Sequence, residues 1–510
     1  MAQQTYRANL LSADFPFLSE NFGRSVIVGQ YDQNTSKQAD PSQQDKTSNA
    51  GIPQLFYCHN VVPTQQGIQS VGFEQLTVAL PGETQFAGVL SLRDSYDRKA
   101  YLGYTSDGRF YITTTPYSSW TLKYSNASAA GKLVTRAYAQ GITYIYISTL
   151  GCFKYNFDTN ALEGVALAGL NPAAVLGVVS LSGYLCVWTA TTFAWSAIAN
   201  PTDFVPSLST GAGGGSVEGA AGALVVCASA NIGILGYTTG NIVAANYTGN
   251  SQYPFIFRAL PSSGGLKKAS HADYDSLSGQ QYAYTTSGMQ LCDVQRAQTV
   301  LAVVTDFISG GEFEDCDSST GIFTKETLTS AMVKSVKLVA NRYLIISYGK
   351  TSFTHAILVD TQLKRYGKFK INHVSVIDLI LGEEAADVAK NSIGFVQADG
   401  AIKVVDYNSQ VTASDAIAVL GKYQLMRSRL IQLNEIEFEN IEAGDTFSVR
   451  VATSLDGKNM TLSSALPVTK SSTLYRKYNL RKTGVNHSLF LTNNFRLNTL
   501  MLNFTVHGRR

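Results

Sequence analysis

Seven times along the chain the same short pattern recurs: a run of β-formers rich in aromatic residues, a tight turn, and a second such run. The pattern begins at Tyr101 (YLGYTSDGRFYI), Tyr144 (YIYISTLGCFKYN), Tyr184 (YLCVWTATTFAWS), Ala223 (ALVVCASANIGILGY), Gln281 (QYAYTTSGMQLCD), Tyr343 (YLIISYGKTSFTHAILVD) and Ser392 (SIGFVQADGAIKVVDY). The turns Ser106-Asp107-Gly108, Ser287-Gly288 and Ala398-Asp399-Gly400 supply residues that tolerate positive φ, as hairpins require. Successive starts lie roughly 40 to 60 residues apart, about the length of a four-stranded propeller blade. A blade cannot bury both faces alone, so several must stack about an axis. The spacing therefore predicts an all-β chain: a β-propeller of about six to seven irregular blades over residues 61–420. No WD or kelch signature accompanies the repeat, so a large sandwich or a string of small β-domains remains open.

Two segments depart from this rhythm. Residues 1–60 hold a polar run, Gln33 to Ile52, too poor in apolar side chains to contribute much core, and read as an arm leading into the first strands. Residues 421–510 alternate more cleanly, as in the strands around Glu435, Val449, Leu489 and Leu502, and suit an antiparallel β-sandwich-like module.

Charge is scarce and unevenly spread. Charged residues make up 15% of the 510 and the net charge is +3, so no global field points to nucleic acid. From Gly164 to Tyr253 the only charged residues are Asp203 and Glu218. Surface strands of a lone soluble molecule normally carry charges that resist edge pairing. Depletion of charge with aromatics retained fits surfaces covered by other subunits, or a very well buried set of inner blades. After Asp456 the sign turns wholly positive: Arg476, Lys477, Arg481, Lys482, Arg509 and Arg510 are candidates for contact with an acidic partner or with phosphates. A solvated face is the alternative reading of such a run.

Little in the chain resembles a catalytic or metal constellation. There is no G-x-x-x-x-G-K-[ST], H-E-x-x-H or G-x-S-x-G. The six histidines are dispersed and read as structural. The six cysteines form no C-x-x-C pair and several sit in apolar runs, which suits buried free thiols of a reducing cytoplasm. The acidic cluster Glu312, Glu314, Asp315, Asp317 reads as a solvated loop, and the glycine-rich stretch Thr210 to Ala220 as a flexible connection between strands. Ser454-Leu455-Asp456-Gly457 faintly resembles a sialidase aspartate-box turn but lacks its closing aromatic. The uncharged stretch from Ala173 to Ala190 is interrupted by Ser182-Gly183, which marks a hairpin rather than a membrane span. The N-terminus carries no basic start followed by an apolar core, so no secretion signal is expected. No catalytic residue, cofactor or metal is expected.

Three segments carry a family resemblance: LFYCHNVVPTQQGIQSVGF from Leu55, WSAIANPTDFVPSLSTGAG from Trp195, and YLIISYG from Tyr343 with FTHAILVDTQLKRYGKF from Phe353. Together with the closing LMLNFTVHGRR from Leu500, they resemble the propeller-bearing tail hub and nozzle proteins of short-tailed bacteriophages, which include the packaged-DNA stabilisation proteins. The resemblance implies a non-enzymatic virion protein assembled in the host bacterial cytoplasm. It implies a homo-hexameric ring beneath portal and adaptor rings, passing double-stranded DNA without reading its sequence. A carbohydrate-binding or sialidase-like propeller for host-receptor recognition is the alternative. It would expect a solvent-facing cluster of tryptophans and carboxylates, and the chain has three tryptophans, Trp120, Trp188 and Trp195.

Overall fold

A computed structural model describes the chain except residues 1–2, 10–25, 28–54, 64–67, 81–84, 251–252, 275–280, 303, 306–307, 309–311, 317–322, 328–332, 341, 363–364, 380–392, 407–414, 425–428, 440–445, 456–460, 470–474, 498 and 510. The polar run 33–52 falls outside the described residues.

Each of the seven aromatic hairpins becomes two adjacent strands of one antiparallel meander sheet, and the seven sheets are the blades of a β-propeller. Their innermost strands are Phe86–Arg93, Val134–Ala139, Gly177–Leu181, Leu224–Ala230, Gln281–Thr285, Val333–Val339 and Ser375–Asp378, which number blades 1 to 7. Blades 1 to 4 are four-stranded; blade 5 shows three strands among the described residues. The turn between the first two strands of blade 3 shows why such hairpins close tightly. Ser182 (φ 52) and Gly183 (φ 86) both take left-handed backbone, the twist that matches flanking strands. Leu181 is thereby paired with Tyr184.

The ring closes with a strand from before blade 1. Gly72–Gln75 pairs with Ile402–Asp406 and becomes the outermost strand of blade 7, in the register Asp406↔Gly72 to Lys403↔Gln75. Phe73 packs there edge-on against Phe369 and Phe395, with ring centroids 6.1 and 5.9 Å away. The innermost strand of blade 7 then packs against that of blade 1.

Every seam between neighbouring blades carries a hydrogen bond from a side chain to the neighbour's main chain. Thr143 Oγ1 donates to Arg93 O at 2.6 Å (blades 2 and 1), and Val178 N–H donates to Thr135 Oγ1 at 3.0 Å (blades 3 and 2). Ser229 Oγ donates to Ser180 O at 2.6 Å (blades 4 and 3), and Gln281 Nε2 to Ser229 O at 2.7 Å (blades 5 and 4). Asp273, whose N–H bonds Tyr282 O in blade 5, accepts from Leu338 N–H of blade 6 at 2.6 Å. Asp378 of blade 7 accepts from Ala340 N–H at 3.0 Å, and its carbonyl accepts from Tyr101 OH of blade 1 at 2.6 Å. Buried polar groups must be paired, so these residues fix the seams as well as fill them.

The C-terminal module is a two-sheet β-sandwich. One sheet runs in the order Gln3–Asn9, Thr499–Arg509, Arg429–Glu439, Tyr475–Gly484. The other is centred on Ile417–Gln424, Asn486–Asn493 and Thr446–Ser454. In Arg429–Glu439 the buried positions switch from odd (Ile431, Leu433) to even (Ile436, Phe438). A register shift between Leu433 and Glu435 resets the phase.

Two expected boundaries move. The strand Ile417–Gln424 belongs to the sandwich, so the propeller ends near Asp406 rather than at residue 420. Within residues 1–60, Gln3–Asn9 is no arm: it pairs with Thr499–Thr505 as a sandwich strand. The module is also continuous with the propeller. The sheet of blade 6 extends through Val61–Pro63 and Ile68–Ser70 to Arg496–Leu497. One apolar cluster joins Leu344, Ile346 and Ile357 of that blade to Phe438, Leu489 and Leu502 of the sandwich.

All six cysteines are free and buried. Burial pushes the thiols of Cys58, Cys152 and Cys292 up to about 12 and raises those of Cys186 and Cys227 as well. A thiol reacts as its thiolate, so the native protein should resist iodoacetamide at pH 8. Intact-mass measurement should show no adduct before unfolding and six after it; fast native labelling would contradict the burial.

Candidate functional site

Among the described residues, two cavities border innermost strands of the propeller. The larger, about 350 Å³, is walled by the innermost strands of blades 1, 6 and 7 and by residues 270–274. Its charges are already paired within the chain. Lys337 Nζ lies 3.4 Å from Asp273 Oδ1, and the Asp273 side chain is 1% exposed. His373 Nδ1–H donates to Ile371 O at 2.8 Å, and Nε2 accepts from Ser347 Oγ at 2.7 Å. Burial lowers its pKa to about 4, so the ring is neutral at pH 7. Burial also raises the pKa of Asp378. These arrangements hold strands together. The Ser347 hydroxyl thus meets the His373 imidazole, but both residues are buried, at 1% and 2% exposure, and the pair ties two strands of the blade 6 sheet. Among the described residues no group of three or more His, Cys, Asp or Glu is placed to hold a metal.

The smaller cavity, about 270 Å³, opens where the innermost strands of blades 1 to 4 end. Arg93, Tyr138, Ser180, Ser182, Ser229 and Asn231 stand on its wall. Sequence reading missed these residues, because they come from four different blades and form no local motif.

The basic positions are divided rather than gathered. Arg476, Lys477, Arg481 and Lys482 lie on Tyr475–Gly484, which ends the order of its sheet. Register sets Lys477 opposite Glu437, Arg476 opposite Phe438 and Lys482 opposite Leu433. Arg481 is exposed and takes φ 48. Arg509 ends Thr499–Arg509, opposite Arg429, and Arg510 lies outside the described residues.

Other sequence candidates resolve into structure. The glycine-rich segment is not a loop: Gly213–Ser216 is the outermost strand of blade 3, and Trp195, opposite Gly213, donates its indole N–H to Gly211 O at 2.9 Å. The motif from Trp195 to Phe204 ties blade 3 back to blade 2. Ala197 N–H bonds Asp203 O at 2.7 Å, and Phe204 N–H bonds Ala168 O at 2.9 Å. Glu312, Glu314 and Asp315 lie in a strand, Glu312–Cys316, not a loop, with Glu314 opposite Lys325; Asp317 is outside the described residues. Asp456 and Gly457 are outside them too. Of the histidines, His59, His271, His355, His373 and His487 are buried.

Among the described residues, blades 3 and 4 hold most of the large apolar side chains that face solvent. Ile198 (46%), Val205 (50%), Leu208 (76%), Ile232 (59%), Tyr253 (66%) and Ile256 (61%) are all exposed. They fall in or beside the stretch that is nearly free of charge. Trp120 and Trp188 are buried and Trp195 is half-buried, so no tryptophan platform faces solvent. No helix among the described residues is long and apolar enough to cross a membrane.

No family model matches this chain, and no curated protein matches it. Among solved structures it is similar to the WD40 β-propeller domain of Doa1, at 10% identity and TM-score 0.40 over 67% of this chain and 98% of that one. It is similar to YCF48 from Cyanidioschyzon merolae, at 11% identity and TM-score 0.40 over 66% of this chain and 98% of that one. It is also similar to the extracellular domain of BT4673 from B. thetaiotaomicron, at 11% identity and TM-score 0.44 over 88% of this chain and 61% of that one. These likenesses are too distant to add to what the sheet topology shows.

Proposed function

We propose that this chain is a structural subunit of a bacteriophage tail, a hub or nozzle protein of the virion that assembles as a sixfold ring, retains the packaged genome and later conducts it. The observation that carries the reading is the exposed apolar side chains of blades 3 and 4. Six large ones face solvent there, in a stretch of chain that has almost no charge to keep copies apart. Such exposure is costly for a lone molecule and suited to a neighbour.

The two cavities bordering the innermost strands, about 350 and 270 Å³, are far too small for a DNA duplex. A conduit would therefore lie between copies, and the propeller of each copy would form part of its wall. The sandwich carries the sequence resemblance at its last strand and the basic positions at an outer strand, which suits docking to an adaptor or portal ring.

Native mass measurement tests the ring. Six chains of 55.0 kDa give 6 × 55.0 = 330 kDa, and negative-stain images should show sixfold rings. The pair Leu208→Asp and Ile256→Asp should shift the mass to that of one chain while leaving the circular dichroism spectrum unchanged. A wild-type protein that stays at 55.0 kDa at every concentration sinks the ring.

A further inference from the structure

Arg93 is a cation that no carboxylate neutralises among the described residues. It ends the innermost strand of blade 1, and its main chain is clamped to blade 2: its N–H donates to Thr143 Oγ1 at 3.1 Å, and Thr143 Oγ1 donates to its carbonyl at 2.6 Å. The guanidinium lies over the ring of Tyr138, 4.1 Å from the centroid. That ring is fixed in turn, its hydroxyl donating to Asp94 O at 3.1 Å and its own N–H to Ser180 Oγ at 3.2 Å. A cation over an aromatic face is held electrostatically, but the face offers the N–H groups no lone pair in plane.

Arg93 Nε is buried and has no hydrogen-bond partner among the described residues. The adjacent Asp94 does not supply one, since its carboxylate already accepts from Tyr96 N–H, Arg98 N–H and Arg98 Nε. Leaving a buried charged donor unmet is costly, and positioning it on an aromatic ring keeps it in place for an incoming acceptor.

The cavity that Arg93 borders has a volume of about 270 Å³, near the lower end of small-molecule sites at roughly 300–1,000 Å³. Arg93 is the one charged side chain among its lining residues. Ser180 Oγ accepts from Tyr138 N–H and keeps its proton to donate. Ser229 Oγ donates to Ser180 O and keeps lone pairs to accept. Asn231 adds an amide at the rim.

We propose that this mouth of the propeller binds a small hydroxylated carboxylate, the chemistry of an acidic sugar. Arg93 pairs with the carboxylate, and Ser180, Ser229 and Asn231 meet the hydroxyls. A carboxylate is favoured over a phosphate by charge count: one guanidinium neutralises one negative charge and matches a carboxylate plane in two parallel bonds. A phosphate dianion would leave charge unpaired, with no lysine or second arginine in the wall. The inference stands apart from the ring, since every residue it uses belongs to one copy.

Calorimetric titration of the full chain with D-glucuronate, methyl β-D-glucoside and inorganic phosphate tests it. Glucuronate should bind at least about tenfold more tightly than either control, the worth of one charge-assisted pair. Arg93→Met should lose that advantage, and Asn231→Ala, at an exposed turn, should weaken glucuronate severalfold without affecting the fold. If Arg93→Met does not fold, Arg93→Lys, which keeps the charge without the planar fork, takes its place and should also bind more weakly. Silence with glucuronate at millimolar concentration overturns the proposal. So does phosphate binding as tightly as glucuronate, or an Arg93 variant that binds like the wild type.

Discussion

Acidification from pH 6.5 towards pH 4 should destabilise the folded protein by about 3 kcal/mol for each of two histidines, His373 and His487. Burial lowers both rings to about 4 from an ordinary 6.5. In the unfolded chain each binds a proton as the pH falls through 6.5; in the folded chain each refuses it until about 4. Across that window the unfolded state therefore holds more protons, and stability must fall with falling pH. The buried Asp378 carboxyl works in the opposite direction, because its raised pKa lets the folded state bind a proton more readily than the unfolded one. Urea midpoints at pH 7.0 and 4.5 measure the effect. Replacing His373 and His487 by Gln should flatten the difference, and a slope unchanged by the double variant would remove the histidines as its cause.

Trp188→Ala should cost about 3–5 kcal/mol, the range for emptying a large buried aromatic site. Trp188 is 0% exposed, in the cluster that blades 3 and 4 share. It stands opposite Gly177, and a Cβ added to Gly177 would come within 2.5 Å of the indole and 2.7 Å of Thr135 Oγ1. The ring thus occupies the space a side chain at 177 would take. Gly177→Ala should cost about 1–3 kcal/mol by overpacking. The two changes should be less than additive when combined, since each relieves the other. Trp188→Phe should cost less than Trp188→Ala, because Phe refills most of the emptied space and the buried indole N–H has no hydrogen-bond partner among the described residues. Denaturant midpoints for the four variants complete the test, and fully additive costs would show that the two sites do not share the space.

The blades were legible because their hairpins are local. Tyr184 to Ser196 alternates, turns at the right residues and pairs with itself, so nothing distant is needed to recognise it. The closing strand was not legible, because Gly72–Gln75 is short and its partner Ile402–Asp406 lies far along the chain. Gln3–Asn9 failed for the same reason, being polar in composition and made a strand only by Thr499–Thr505. Glycine content misled at Gly213–Ser216, where lack of side chains was read as lack of structure although the edge of blade 3 merely needs main chain. Arg93 could not have been found from sequence, since its significance lies in Tyr138, Ser180 and Ser229, each on a different blade. The basic run was visible, but the register that sets Lys477 beside Glu437 was not.

Closure of blade 7 by Gly72–Gln75 orders events during synthesis. That segment leaves the ribosome early and then waits for Lys403 to emerge, which at about 5–20 residues per second takes roughly 15–65 s. Until then the apolar flank of blade 1, with Phe86 and Tyr101 on it, has no blade 7 against which to pack. Gln3–Asn9 waits longer still, for Thr499–Thr505. A nascent chain cut short anywhere between is a belt without its buckle, and the cell's chaperones and proteases can distinguish it from a finished molecule by that open flank alone.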